Sequence, residues 1–294
     1  MIVDRILKFL ETNRLPIMEE YVGTFTEGVV RSLNKQLVRR ENDGRDGYHA
    51  SSPWYCARKM LLDMARAEGE PLTPTAMLTF HQGDYYEQLG IMLTRCAMPE
   101  AIVSPGLDGK QERVCVSVGG VAVEGNIDMV IRDPEGNEVP VDWKSTNGYG
   151  IDEARDANSN PGAKWWTDHR FRYLTQLRLY MEAKKSPYGL FCYFNKEAGT
   201  MLEIRVNPDP VWRSELEARA KYVESFRDGP ALPPRPSFAT ITRKDGANLR
   251  PDGSKGPVDE IEHFLCRYCD KKAHCFPGFG LVALASKPVW RKAV

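Results

Sequence analysis

EGNIDMVIRDPEGNEVPVDWKST, residues 124–146, reads as two β-strands joined by a turn. The first strand, VEGNIDMVI, is an apolar, β-branched run with Asp128 inside it. The turn is DPEGN, where Pro134 and Gly136 set the backbone angles that a tight reversal requires. The second strand, VPVDWKS, places Asp142 and Lys144 two residues apart and therefore on one face, with Trp143 turned to the other side for packing. A carboxylate buried in a strand is costly without a partner, so Asp128 and Asp142 need hydrogen bonds or a cation.

Two acids on neighbouring strands, with an ammonium two residues on, form a compact site for a divalent metal and a phosphate. The tripeptide alone decides little, because [DE]-x-K occurs four times: at Asp108–Lys110, Asp142–Lys144, Glu182–Lys184 and Asp270–Lys272. Only the match at Asp142 lies on a predicted strand directly after another strand that bears an acid. The others fall in a Gly turn, at a helix end and in a Cys-rich loop. Context selects Asp142 and Lys144.

A length of 294 residues gives ample core volume, in one large domain or two small ones. Forty basic residues balance forty acidic ones, so a nucleic-acid surface must be a local patch and not a global charge. No apolar run approaches membrane-spanning length, and MIVDRILKFLETNR lacks the apolar core and cleavage site of a signal peptide. The expectation is a cytoplasmic chain that does not engage a membrane. That segment has instead the spacing of an amphipathic helix, with Ile2, Ile6, Phe9 and Leu10 on or near one side, expected to pack within the molecule. Seven cysteines, an odd number, point to a reducing compartment and to ligand or core roles in place of disulfides.

Further helices are predicted over Phe25–Arg40, from a Ser52 cap and Pro53 start through YCARK, over Thr75–Met98, through RFRYLTQLRLYMEAKK and through WRSELEARAKYVESF. On the third of these, Gly83 and Glu87 are four apart and share a face, where the glycine leaves room beside the carboxylate. His81 lies about 120° around the same helix from Glu87, so one metal cannot face both. A carboxylate suits a hard cation better than an imidazole does, which makes Glu87 the expected ligand and His81 a substrate-side or helix-start residue. On the fourth helix, Tyr173, Gln176 and Tyr180 fall together beside a buried stripe of Phe171, Leu174, Leu177 and Met181. RVCVSV, GLFCYFN and TMLEIRV read as strands. Residues 229–259 hold six of the twenty prolines and read as a linker.

Cys266, Cys269 and Cys275 have the spacing C-x2-C-x5-C, which suits a soft metal or an iron–sulfur cluster with a fourth ligand from elsewhere. Cys56, His263 and His274 are the candidates for that ligand, and spacing alone leaves zinc open. Cys96, Cys115 and Cys192 sit in apolar helix or strand contexts and read as core residues.

Taken in order, YCARK, GDYYE, GNIDMVI, VDWK, QLRLY and CRYCDKKAHC resemble the RecB-type branch of the PD-(D/E)XK nucleases. The closest pattern is the CRISPR-associated RecB-like exonuclease family and its phage-borne relatives, matched over residues 56 to 275. Two departures stand out: Glu87 occupies a position where that family often has histidine, and Asp142 one where many relatives have glutamate. The resemblance implies an α/β fold with a central mixed sheet flanked by helices and a C-terminal element stapled by a [4Fe–4S] cluster on Cys56, Cys266, Cys269 and Cys275. It implies that Glu87, Asp128, Asp142 and the backbone carbonyl of Trp143 hold Mg²⁺ or Mn²⁺, and that Gln176 and Tyr180 position the scissile strand. Lys164, His169, Arg170, Arg172 and Arg178 are expected to follow the DNA backbone, with Trp165, Trp166 and Tyr173 as stacking surfaces.

The expected organisation is an N-terminal helical region (1–74), a nuclease core (75–228), a linker (229–259) and a C-terminal cysteine element (260–294). The expected activity is metal-dependent exonuclease action on single-stranded DNA or DNA ends. Partners among recombination or CRISPR-adaptation proteins follow from the resemblance. A structure-specific endonuclease on the same core and a non-catalytic metal-stapled DNA-binding subunit are the alternatives. The intact acid–acid–lysine set argues against the last.

Overall fold

A computed structural model of the chain describes residues 1–12, 19–37, 47–71, 73–106, 108–235, 240–244, 248, 250–261, 264–267, 269–282 and 289–293. Among the described residues, α1 (Ile2–Thr12), α2 (Glu19–Leu37), β1 (Tyr48–His49), α3 (Ala57–Met64), α4 (Pro74–Ala97) and a 3-10 turn (Pro99–Ala101) precede the central sheet. The helix read from Phe25 therefore starts six residues earlier, and its expected last residues, 38–40, lie outside the described ones. Ser52 and Pro53 do not open α3. Cys56 is its N-cap, while the Ser52 hydroxyl accepts from the His49 amide at 3.0 Å in the preceding turn. At α4, Thr73 is the cap, accepting from the Ala76 amide ahead of Pro74, the sequence order that starts a helix cleanly.

The stretch VEGNIDMVI is two strands, not one. After β2 (Ile102–Ser104) and β3 (Glu112–Val118), β4 (Val121–Ile127) pairs with β3 and β1 in a three-stranded sheet. Asp128 then interrupts the ladder, and β5 (Met129–Arg132) enters a different, five-stranded sheet. β4 buries Val123 and Ile127 and leaves Asn126 exposed, β5 buries Met129, Val130 and Ile131, and with an apolar residue on each side of Asp128 the sequence carries no mark of the switch. The DPEGN reversal forms as read: Gly136 has φ +88°, and the Asp133 carboxylate accepts from the Asn137 amide at 2.8 Å.

β6 (Glu138–Thr146) follows, then α5 (Gly148–Ser159), α6 (Lys164–Asp168), α7 (Tyr173–Lys184), β7 (Gly189–Asn195) and β8 (Met201–Val206). The larger sheet runs β2-β5-β6-β7-β8, with β6 and β7 parallel and the other pairs antiparallel. One face, carrying Met129, Val141, Trp143 and Cys192, is covered by α1 and α4. Opposite it, Phe191, Tyr193 and Ile204 pack under α5, α6 and α7. This is an α/β architecture with a mixed sheet between helices. The smaller sheet packs with α3, α7 and α8 (Pro210–Glu224) around Trp54, Val123 and Leu216.

The expected amphipathic first helix buries Ile2, Val3 and Ile6 but leaves Leu10 half exposed. Its first amides, from Ile2 and Val3, donate to the buried carboxylate of Glu203 on β8, which satisfies donors that a helix start otherwise leaves open.

Beyond α8 the chain forms β9 (Thr240–Arg243) and β10 (Val258–Ile261), so part of the segment read as a linker is sheet. Short helices α9 (Phe264–Arg267) and α10 (Lys272–Cys275) and strands β11 (Gly280–Val282) and β12 (Val289–Ala293) complete it. No helix among the described residues is long and apolar enough to cross a membrane.

Candidate active site

The register of the larger sheet explains why the acids meet. Met129 pairs with Val141 across antiparallel strands, which brings the next residue on one side, Asp128, opposite the next on the other, Asp142. Asp128 Oδ2 accepts from the Trp143 amide at 3.2 Å. Asp142 is fully buried. Its Oδ1 meets Lys144 Nζ at 2.5 Å, and its Oδ2 has no hydrogen-bond partner. Like charges placed opposite one another repel, and burial removes the water that would screen them. Burial, then the charges of Glu87 and Asp142, push the Asp128 carboxyl well above the ordinary range, against the pull of Lys144. Burial also works against the Lys144 ammonium, but Asp142 and Asp128 together hold its pKa above the usual lysine value. The Tyr173 ring lies 5.2 Å from that ammonium.

Trp143 faces away, as its place between the two charged residues requires. It stacks on Phe194 at 5.1 Å and presses against α4 at Gly90, where an added Cβ would stand 2.4 Å from the indole. That close approach brings α4, and with it Glu87, toward the acids. Glu87 also accepts from Gln111 Nε2 at 2.8 Å.

A family model described as the PD-(D/E)XK nuclease superfamily matches residues 17–276, most of the chain and all of this site. The chain belongs to the PD-(D/E)XK nuclease superfamily. Solved structures similar to this PD-(D/E)XK chain include that of SSO0001, 15% identical over 70% of this chain and 88% of that one, with a TM-score of 0.38. An alkaline exonuclease from Laribacter hongkongensis is 11% identical over 70% of this chain and 92% of its own, with a TM-score of 0.40. No match is found among curated proteins.

Dependence on Mg²⁺ or Mn²⁺ is general in PD-(D/E)XK nucleases, and the donor set fits such an ion. Asp142 Oδ2 is a buried acceptor without a partner, and Asp128 and Glu87 are hard oxygen donors whose repulsion a cation relieves. Among the described residues no three His, Cys, Asp or Glu side chains stand converged as a finished metal cage. Here the Lys144 ammonium holds the Asp142 oxygen.

The other expected site residues divide. His81 lies on the same continuous helix as Glu87, with its Nδ1 buried and without a hydrogen-bond partner. Gln176 Nε2 donates to Tyr180 Oη at 3.2 Å, and that hydroxyl donates to the Asn126 carbonyl at 2.7 Å. Tyr180 is 2% exposed and fills the space where Gly125 lacks a side chain, so it fixes the strand two residues ahead of Asp128. Gln176 lines a groove of about 720 Å³ with Arg172, Tyr173, Tyr55 and Phe80, running to Asp270 and Lys271 of the cysteine element. Of the expected DNA-following residues, Arg170 and Arg178 are paired with Asp209, and Lys164 with Asp168. Trp165, expected as a stacking surface, is a core residue, 4% exposed.

Cys56, Cys266, Cys269 and Cys275 line one cavity of about 150 Å³ between α3 and the C-terminal element. Burial, then Cys56, Cys269 and Cys275, raise the Cys266 thiol to about 12, and burial raises Cys269 to about 11. Lys59 to Asp270 at 2.8 Å, Lys271 to the Ala67 carbonyl at 2.6 Å and Lys272 to Glu70 fasten this element to residues 59–70. His274 Nε2 is engaged by the Glu68 carbonyl at 2.7 Å, and His263 lies outside the described residues. Cys192 is buried in the core as expected, whereas Cys115 is exposed on β3.

Proposed function

We propose that this chain is a metal-dependent DNA exonuclease that hydrolyses phosphodiester bonds in single strands or at strand ends. The observation that carries the reading is Asp128 set opposite Asp142, with Lys144 on the same face and Glu87 close enough to raise Asp128's affinity for its proton. Glu87, Asp128, Asp142 and the Trp143 carbonyl would hold the ion. A divalent ion, when bound, polarises the phosphate and lowers the pKa of a water molecule.

The protein's own residues do the rest. Burial and the charges of Glu87 and Asp142 favour the protonated Asp128 carboxyl, which would have to give up that proton to serve as a ligand. Lys144 orients the attacking water and offsets charge that builds on the phosphoryl oxygens, a role that needs its ammonium fixed, as the Asp142 bond and the Tyr173 ring fix it. The long groove gives a strand room beside α7, and Tyr55, Phe80 and Tyr173 provide aromatic faces for unpaired bases.

A [4Fe–4S] cluster on the four cysteines completes the proposal. Its support is that all four line one cavity and that His274, the described alternative for a zinc site, is already bonded. Anaerobically purified protein carrying iron and sulfide would agree with it; colourless protein containing zinc alone would overturn it.

The activity is tested by incubating labelled linear single strands, linear duplex and circular DNA with Mg²⁺ or Mn²⁺. Mononucleotides released from ends support the reading. Cuts in circular DNA would replace it with an endonuclease, and binding without products would leave a DNA-binding subunit.

A further inference from the structure

The sheet face that carries Asp142 and Lys144 continues into a second, smaller cavity on the far side of the lysine. Parallel pairing of β6 with β7 sets Phe191 beside Asp142 and Tyr193 beside Lys144, with their side chains on one face. Phe191 is plain core. Tyr193 is 4% exposed, yet its hydroxyl is buried and has no hydrogen-bond partner. Phenylalanine would pack there equally well, so the hydroxyl calls for an occupant. The cavity measures about 160 Å³ and is walled by Lys144, Tyr193, Arg172, His169 and Glu153. The space is small beside the main groove and has room for a phosphate group.

The walls set the charge of that occupant. Lys144 and Arg172 are cationic, and Glu153 is the acid that lines the same cavity. The His169 ring stacks on Trp165 at 4.7 Å, and its Nδ1 lies 2.9 Å from the Trp165 carbonyl. Burial lowers its pKa, so it stands uncharged at neutral pH and donates from Nδ1 to that carbonyl. Asp142 already offsets the Lys144 charge from behind and Glu153 stands on the wall, so the cavity, with Arg172 as its remaining cation, matches a singly charged phosphodiester better than a doubly charged terminal phosphate.

We propose that this cavity seats the backbone phosphate next to the scissile one, with the Tyr193 hydroxyl donating to a phosphate oxygen and Arg172 supplying charge. The inference rests on the nuclease reading above. Tyr193 is then a positioning residue: it sets the register of the strand on Lys144 and touches no reacting atom.

The test uses single-stranded oligonucleotides that carry one methylphosphonate, neutral but similar in shape, at successive linkages from either end. Binding to the full chain is read by fluorescence anisotropy in EDTA, and cleavage with Mg²⁺ or Mn²⁺ is read separately. Wild type is expected to lose about tenfold in affinity at one linkage, the size of a hydrogen bond to a charged group. Tyr193→Phe should bind the unmodified strand about tenfold more weakly and should not distinguish the methylphosphonate at that linkage. If Tyr193→Phe melts below wild type, the same comparison is made with Arg172→Gln. A variant that binds and discriminates as wild type does overturns the proposal. Coupling confined to strands with a terminal phosphate overturns the assignment to a phosphodiester. Absent cleavage with this coupling intact would remove the nuclease reading and keep the phosphate site, so the two fail separately.

Discussion

Replacing Asp128 with asparagine should make the metal-free protein more stable while removing its activity. Asparagine keeps the shape and can still accept the Trp143 amide bond, now made to Asp128 Oδ2. What it removes is a charge held beside Asp142 and Glu87 in a buried site. Two unit charges about 4 Å apart interact by about 4 kcal/mol at an effective dielectric near 20. Proton uptake limits the cost: at pH 7 it cannot exceed about 1.4 kcal/mol for each pH unit above an ordinary carboxylate pKa near 4, again about 4 kcal/mol. For a protein of this size 1 kcal/mol moves the melting temperature by about 2–4 °C, so in EDTA the variant should melt several degrees higher. The sign with pH is fixed by linkage. A carboxyl raised on folding costs stability as pH climbs above its unfolded pKa, so the variant's advantage should be largest near neutrality and vanish near pH 4. The assay is thermal melting between pH 4 and 7, in EDTA and then with Mg²⁺ or Mn²⁺. The metal should raise wild type and leave the variant unmoved. A variant that melts lower than wild type in EDTA at pH 7 would falsify the repulsion argument.

Lys144→Ala should lower the cleavage rate at least about 100-fold while metal-free DNA binding persists; near-normal rates would exclude the lysine from catalysis. Glu87→Ala should abolish the metal-induced rise in melting temperature and His81→Ala should keep it, and the reverse result would hand the ligand role to His81. Cys56→Ser and Cys266→Ser should both bleach an iron–sulfur chromophore, whereas His274→Ala should leave it, and visible spectra taken without oxygen decide the matter. Gly90→Ala should destabilise the fold by about 1–3 kcal/mol through overpacking against Trp143, read by denaturant melts, with unchanged stability the contrary outcome.

The period-two pattern of VPVDWKS sufficed to put Asp142 and Lys144 together and Trp143 opposite, because alternation in a strand follows from backbone geometry alone. The break at Asp128 left no such trace: the residues on either side of it, Ile127 and Met129, are both apolar and buried, and the sequence reads through the joint as one run. Cys56 and the C-terminal cysteines are over two hundred positions apart, and no local pattern reports that they line one cavity. Tyr193 was equally hidden in GLFCYFN, a central strand with every residue buried, where a functional hydroxyl and a packing ring look alike. Trp165 erred in the other direction. An aromatic pair in a polar stretch reads as a surface platform, but α6 turns Trp165 inward over Phe191.

Asp128 sits in a one-residue joint between two sheets, and that placement bears on how such a site can change over generations. An acid within a ladder is hostage to it: a slip of one residue would turn the carboxylate to the opposite side. The joint belongs to neither ladder. The small sheet can lengthen, shorten or lose β1 by insertion and deletion upstream, and the acid stays tied to the Trp143 amide on β6. Lineages are therefore free to remodel the outer end of the small sheet, around the β3–β4 turn at residues 117–122, without dismantling the chemistry beside it.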